Sequence, residues 1–419
     1  MESSILAAAS FPRASRPVAL LTDIAGAPRA VRCRVADAKG PVMYYTMGEG
    51  MFNAEEVFQW ESGKSMNAIA AAQGIRVRRR CRPRYPSEGI GADRAVPRNI
   101  LEQIIWDKEV EVAQRKARAP LQRVKQSAER APPPRDFAGA LGVACRRNGG
   151  VPALIAEVKK ASPTKGLLRE HFDPVEIAHA YERNGAACLS ILTDEKHFLV
   201  WHLAASCLFF SDIWNSLLHF SDISDIQFPK RKKKRHFLIS CAMFLQGSFE
   251  DLEAVRNSGV NCPLLCKDFV IDVWQIYYAR SKGADAVLLI AAVLPDLDIK
   301  YMLRVCTSIG MTALVEVHNE SELDRVLKID GVQLIGINNR SLETFEVDTA
   351  NTNMLLEKHG DIIRKKQMQV VSESGLFTPD NVAYVQNAGV SAVLVGESLV
   401  TQEDPGRAIA GLFGKELVH

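Results

Sequence analysis

Ala286-Val-Leu-Leu-Ile290 is an unbroken apolar run, bounded by Asp285 before it and a helical stretch after it. Continuous apolar runs of this length, rather than alternating ones, suit parallel strands buried on both faces. Outward from it the same unit repeats. The runs are Ala153–Val158, Cys188–Leu192, Pro263–Cys266, Ala286–Ile290, Ala313–Val317, Leu334–Ile337, Gln369–Val371 and Ala392–Val395, each followed by a helical stretch. Eight strand–helix units in about 270 residues predict an α/β fold, a single (β/α)8 TIM barrel. A doubly wound open sheet is the structural alternative, but nothing would stop it at eight strands.

The rhythm has one flaw. Most units recur at the spacing that a strand, a helix and two short loops require, but the gap from the second run to the third is about twice that. It contains Leu199–Leu245: LVWHLAASCLFF, SDIWNSLLHFSDISDIQF, the basic run PKRKKKR and HFLISCAMFL. Removing these residues joins TDEKHF to QGSFEDLEAV and restores the spacing, which predicts an insertion at 199–245 in the second βα loop. Polar residues His202, Asp212, Asn215 and His219 interrupt it, so it holds no uninterrupted apolar span long enough to cross a membrane.

Before the barrel the chain changes character. Met1 to Arg34 carries four serines and five arginines against only Glu2 and Asp23 as acids, the composition of an organelle transit peptide. Residues 1–65, with an approximate boundary, are therefore expected to be an organelle transit peptide and disordered N-terminus. Residues 66–96, with Arg76–Arg84 (RVRRRCRPR), read as a solvated basic linker, and 97–419 as the barrel. An amphipathic helix begins near Asn99 as an N-terminal helical extension, and Ala131–Pro134 ends the helical region.

The net charge is +3 over 419 residues, with much of the excess in local runs. That balance gives no argument for a nucleic-acid partner, and none is expected. The nine cysteines include no C-x-x-C pair and no cluster at zinc spacing, so no metal is expected.

Barrel enzymes carry their chemistry just after each strand. There this sequence places Glu157, Lys159 and Ser162, then Lys267, Glu316, Asn338-Asn339-Arg340, Ser372-Glu373-Ser374-Gly375 and Gly396-Glu397-Ser398. Closure aims such groups at one cleft. Lys267 directly follows Pro263–Cys266, so desolvation of its stem predicts a lowered pKa and a proton-donor role. Two glutamates at one mouth can divide acid and base roles if their surroundings differ. Glycines after runs seven and eight permit close backbone approach to a ligand, and the corresponding loops of this fold commonly bind phosphate. A phosphorylated small molecule is thus the expected substrate class.

The segments LIAEVKKASPTKG, CLSILTDEKHF, PLLCKDFV, ALVEVH, LIGINNRSLETFEVD, VVSESGL and AVLVGESL resemble, in order, the strand motifs of indole-3-glycerol-phosphate synthases, most closely the plant plastid form. The resemblance covers about residues 97–198 and 246–419. It implies closure of the pyrrole ring of 1-(2-carboxyphenylamino)-1-deoxyribulose 5-phosphate with loss of CO2 and water, in tryptophan biosynthesis in the chloroplast stroma.

By the same resemblance Lys267 is the general acid on the ketone oxygen, and Glu316 and Glu157 are acid/base carboxylates. Lys159 lies on the first loop and meets the substrate carboxylate, with a part in the dehydration. Ser162 shares that loop. Asn338 and Arg340 orient the substrate, with Leu342 beside them, and Arg340 reads the carboxylate. Ser374, Gly375, Gly396 and Glu397 form the phosphate cradle, and Phe198 and Phe269 wall the anthranilate ring. No cofactor, metal, nucleic acid or membrane partner is implied; association with other tryptophan-pathway enzymes is open.

The insertion departs from the family pattern at the rim of the expected pocket and reads like a retained intron translated in frame, a lid being the alternative. Two other readings stand beside an active synthase. One is a non-catalytic form of the same barrel, spoiled by the insertion. The other is a different phosphate-binding barrel such as phosphoribosylanthranilate isomerase, whose cysteine/aspartate pair is not seen at the matching strand ends.

Overall fold

The structure is a computed structural model that describes residues 66–79, 96–162, 165–194, 247–342 and 344–418. The transit-peptide expectation, Phe198 and the whole of 199–245 lie outside the described residues. Short helix α1 (Met66–Ala72) is followed by α2 (Ile100–Arg118), α3 (Leu121–Arg130) and α4 (Phe137–Arg147). Asn99 starts α2 by accepting the N–H of Glu102, and Asp136 starts α4 by accepting that of Gly139, each satisfying a helix-end donor that lacks an internal partner.

Eight parallel strands then close into a barrel: β1 (Ala153–Val158), β2 (Cys188–Leu192), β3 (Leu264–Lys267), β4 (Ala286–Ile290), β5 (Thr312–Val317), β6 (Leu334–Asn338), β7 (Gln369–Glu373) and β8 (Ala392–Val395). Neighbours pair in sequence order, and β1 closes the ring on β8 with Ala153 opposite Ala392. The predicted runs become these strands, with one shift that matters. Lys267, Asn338 and Glu373 are the last residues of β3, β6 and β7 rather than the first beyond them. Strand pairing therefore fixes their backbone. In the register Leu192 stands opposite Lys267, Ile290 opposite Glu316 and Asn338 opposite Glu373.

The helices wrapping the barrel are α5 (Pro174–Arg183), α6 (Phe249–Asn257), α7 (Val273–Ser281), α8 (Asp296–Ser308), α9 (Glu320–Val326), α10 (Ala350–Lys365), α11 (Pro379–Asn387), α12 (Glu397–Val400) and α13 (Arg407–Phe413). Most begin at a capping side chain: Asp173, Ser248, Asp272, Asn319 and Thr378 each accept a backbone N–H of the first turn. After β1 a small antiparallel pair, Ala161–Ser162 with Gly166–Leu167, shapes the first loop.

The solvated-linker reading of 66–96 needs correction where it is described. Residues 66–72 form α1, and Arg78 and Arg79 are bound to α2 through Glu102 at 2.7 Å and Glu109 at 2.5 Å. Trp106, buried on α2, donates its indole N–H to the Arg78 carbonyl at 2.7 Å. These partners sit over 20 residues away in sequence, so a reading of local charge misses them. At the second loop, Gly247 returns against Leu192, where any Cβ would collide with the Leu192 carbonyl. The chain re-enters the fold next to the place where β2 ended.

Candidate active site

Three buried carboxylates surround one ammonium at the mouth of the barrel. Lys267 Nζ lies 3.2 Å from Glu316 Oε2 and 3.5 Å from Glu373 Oε2. Burial works to lower the lysine's pKa, but the charges of Glu316, Glu373 and Glu157 outweigh it and hold it above the ordinary value. The expectation of a lowered pKa is thus wrong in direction. Desolvation does act on Lys267, but the carboxylates that oppose it come from three other strands.

The two glutamates beside Lys267 differ. Burial acts to raise Glu316, but Lys267 and then His318 overcome that and hold it well below the usual carboxylate range. Burial pushes Glu373 up to about 8; Glu316 and Glu157 add to the rise and Lys267 opposes it. The pair therefore separates into an ionised carboxylate and a protonated carboxyl, the arrangement from which one site obtains both an acid and a base. Gly336 makes room for this, because a Cβ there would collide with the Glu373 carboxylate.

Glu157 and Lys159 form a second unit, paired at 2.6 Å. Burial acts to raise Glu157, but Lys159 and Lys267 keep it below its ordinary value. Gly396 faces this pair: a Cβ there would collide with the Glu157 carboxylate and press on the Lys159 chain. Ser162 Oγ accepts the Lys165 N–H at 3.1 Å, and Lys165 reaches Glu397 at 2.5 Å, tying the first loop to the start of α12.

At the end of β6 Asn338 Oδ1 accepts the Arg340 N–H at 3.0 Å, and Arg340 lies 3.9 Å from the same Glu397. Ser374 and Gly375 follow β7 with φ of 68° and 81°. Gly375 is required there, since a side chain would also meet Val347 and Thr349.

One pocket is lined by Glu157, Lys159, Ser162, Lys267, Phe269, Glu316, Asn338, Arg340, Leu342, Ser374, Gly375, Gly396 and Glu397. It thus gathers every residue to which the resemblance assigns a site role except Phe198, which lies outside the described residues; of the other strand-end residues, Asn339 and Ser372 do not line it. The pocket also takes in Glu373, a strand-end residue to which the sequence assigns no separate role, and Leu101 and Ile104 of α2, which carry no sequence signal for the site. The helical extension is therefore part of the site wall. Its buried Lys108 holds it there, 2.9 Å from Asp268 and 3.3 Å from Asp194, with Glu111 at 3.0 Å. Asp268 is the neighbour of Lys267, so this cluster also braces the end of β3. Glu373 is legible from its place at the end of an apolar run; Lys108 carries no such signal.

The family model for indole-3-glycerol phosphate synthase matches residues 101–200 and 238–412. The chain belongs to the indole-3-glycerol phosphate synthase family. Its relatives include the indole-3-glycerol phosphate synthase, chloroplastic, of Arabidopsis thaliana, 51% identical over 376 residues that span 88% of this chain and 82% of that protein. The indole-3-glycerol phosphate synthases of Rippkaea orientalis and Microcystis aeruginosa are 49% and 48% identical, each over 76% of this chain and over 91% and 90% of their own lengths. The family match passes over residues 201–237, a stretch inside 199–245.

Proposed function

We propose that this chain catalyses the indole-3-glycerol-phosphate synthase reaction on 1-(2-carboxyphenylamino)-1-deoxyribulose 5-phosphate. The carboxylate-bearing ring carbon bonds to the ketone carbon, and the ketone oxygen takes a proton to become a hydroxyl. The bond to CO2 then breaks and its electron pair restores the aromatic ring. The hydroxyl leaves as water while a proton is lost from the adjacent ring carbon. The observation that carries the reading is Lys267 among Glu316, Glu373 and Glu157, a charged donor whose replacement proton is one carboxyl away.

In this reading Lys267 donates to the ketone oxygen. Glu316, ionised, and Glu373, protonated, return and remove protons beside it. Lys159, set against Glu157, meets the substrate carboxylate and serves the dehydration. Arg340 binds the same carboxylate through its planar fork, and Asn338 orients the sugar chain. Ser374, Gly375, Gly396 and Glu397 cradle the phosphate, largely through backbone N–H groups. Phe269, Leu101 and Ile104 supply apolar wall for the anthranilate ring. A plastid-stromal location is supported by the acid-poor, Arg- and Ser-rich start of the chain and by the chloroplastic Arabidopsis relative.

The insertion at 199–245 is proposed as an addition to an otherwise complete barrel. Gly247 packing on Leu192 and the family match passing over 201–237 support this. The test of the function is incubation of the purified full chain with the substrate. Indole-3-glycerol phosphate and CO2 in equal amounts are expected; absence of both overturns the reading.

A further inference from the structure

His318 stands two residues beyond Glu316, just past the end of β5, and does not line the pocket. Its ring is buried between two carboxylates. Nδ1 is hydrogen-bonded to Glu322 Oε2 at 3.0 Å, and Nε2 lies 3.1 Å from Glu316 Oε1 as an ion-pair contact off the line of a hydrogen bond. Glu322 is itself fixed: it accepts the His318 backbone N–H at 2.8 Å and the Asn319 side-chain amide at 2.7 Å. From α10, Asn351 donates to the His318 carbonyl at 3.1 Å. A neutral imidazole has one N–H; a ring with an ionised oxygen against each nitrogen calls for two.

We infer that His318 is a positioning residue, an imidazolium clamped by Glu322 that holds Glu316 in place as a carboxylate opposite Lys267. This rests on the proposed role of Glu316 in ring closure. Without the clamp Glu316 and Glu373 would face Lys267 as near equivalents, and nothing would decide which keeps the proton. With it, Glu316 has a cation on either side and Glu373 has only Lys267.

The charged groups around the ring agree. Glu316 and Glu322 flank it, and beyond Glu316 stand Lys267, Glu373 and Glu157. The neighbouring charges of α9 and α10 are engaged with one another, Glu320 with Lys358 and His359, and Asp324 with His359. Burial opposes charge on the His318 ring, but the carboxylates of Glu316 and Glu322 outweigh it and push the ring up to about 10.

Two measurements test this. The first needs no variant and no turnover: NMR of the histidine ring nitrogens in the full chain, with His318 assigned by its loss in His318→Gln. Both nitrogens should stay protonated from pH 6 to 9. A ring titrating near the ordinary value of about 6.5 overturns the inference. The second is the pH profile of kcat in Glu322→Gln, which keeps the contact but removes its charge. The ring pKa should fall by roughly 1–3 units, and kcat should gain a basic limb at the same lowered pH. If kcat keeps the wild-type profile while the ring pKa falls, His318 does not act through Glu316. If the wild type forms no product, the ring-closure reading fails and only the NMR result bears on the clamp.

Discussion

Gly336 on β6 and Glu373 on β7 occupy what would otherwise be the same space, since a Cβ at Gly336 would collide with the Glu373 carboxylate. The glycine is thus a condition for a carboxyl beside Lys267. Gly336→Ala should displace that carboxyl while leaving the strand paired, because the obstructing atoms are the far end of a side chain. Misplacement of about 1 Å in such a site costs on the order of 10²-fold. Turnover should fall by about that factor, with the unfolding midpoint little changed. Unaltered kcat in the alanine variant would show that Glu373 has no part in the chemistry.

Glu373 also predicts how stability depends on pH. Its pKa is raised in the native state to about 8, whereas the unfolded chain releases this proton at the ordinary carboxylate pKa. Between these values the native state binds more protons, so its contribution to stability falls as pH rises. Relative to Glu373→Gln, the wild type should lose stability steadily from about pH 5 to about pH 8. Denaturant unfolding of both proteins across that range checks this; a constant difference between them would contradict it.

Much of the site was readable in order along the chain, because each functional group closes an apolar run. Lys267 after Pro263–Cys266 and Glu316 within Ala313–Val317 are instances. The direction of the Lys267 shift was not readable, because its three carboxylates arrive from β1, β5 and β7 and meet only on closure. The same holds for Arg78 and Arg79, which look like a solvated run until α2 brings Glu102 and Glu109 to them. Lys108 is hardest of all: a lysine in α2 gives no local sign that it will be buried against Asp194 and Asp268.

Arg340→Lys keeps the charge but loses the fork. KM for the substrate should rise by roughly tenfold, the equivalent of one good hydrogen bond, and a decarboxy analogue should bind with little change. Steady-state kinetics and competition by the analogue provide the comparison. Equal effects on both ligands would mean that Arg340 does not read the carboxylate.

Deleting Leu199–Leu245, so that Gln246 follows Phe198, should give a more soluble and more active protein. The described ends already meet, with Gly247 against Leu192. The stretches Leu199–Phe210 and Leu238–Leu245 are apolar, and eight strands already supply the barrel core; exposed apolar segments favour aggregation. Loop length itself costs little, so secondary structure should change less than activity and yield. Both proteins are assayed for product formation and soluble yield. A full chain of equal solubility together with a slower deletion variant would make the segment a functional lid.

The most direct test of the account is a single-turnover comparison of the wild type with Lys267→Ala, following CO2 release and indole absorbance after rapid mixing with substrate. A group that donates the ketone proton should be worth roughly 10²–10⁴-fold in the ring-closure rate. Substrate affinity should stay within about tenfold, because Arg340 and the phosphate loops are untouched. A variant that binds substrate and closes the ring at the wild-type rate would contradict the central place given to Lys267.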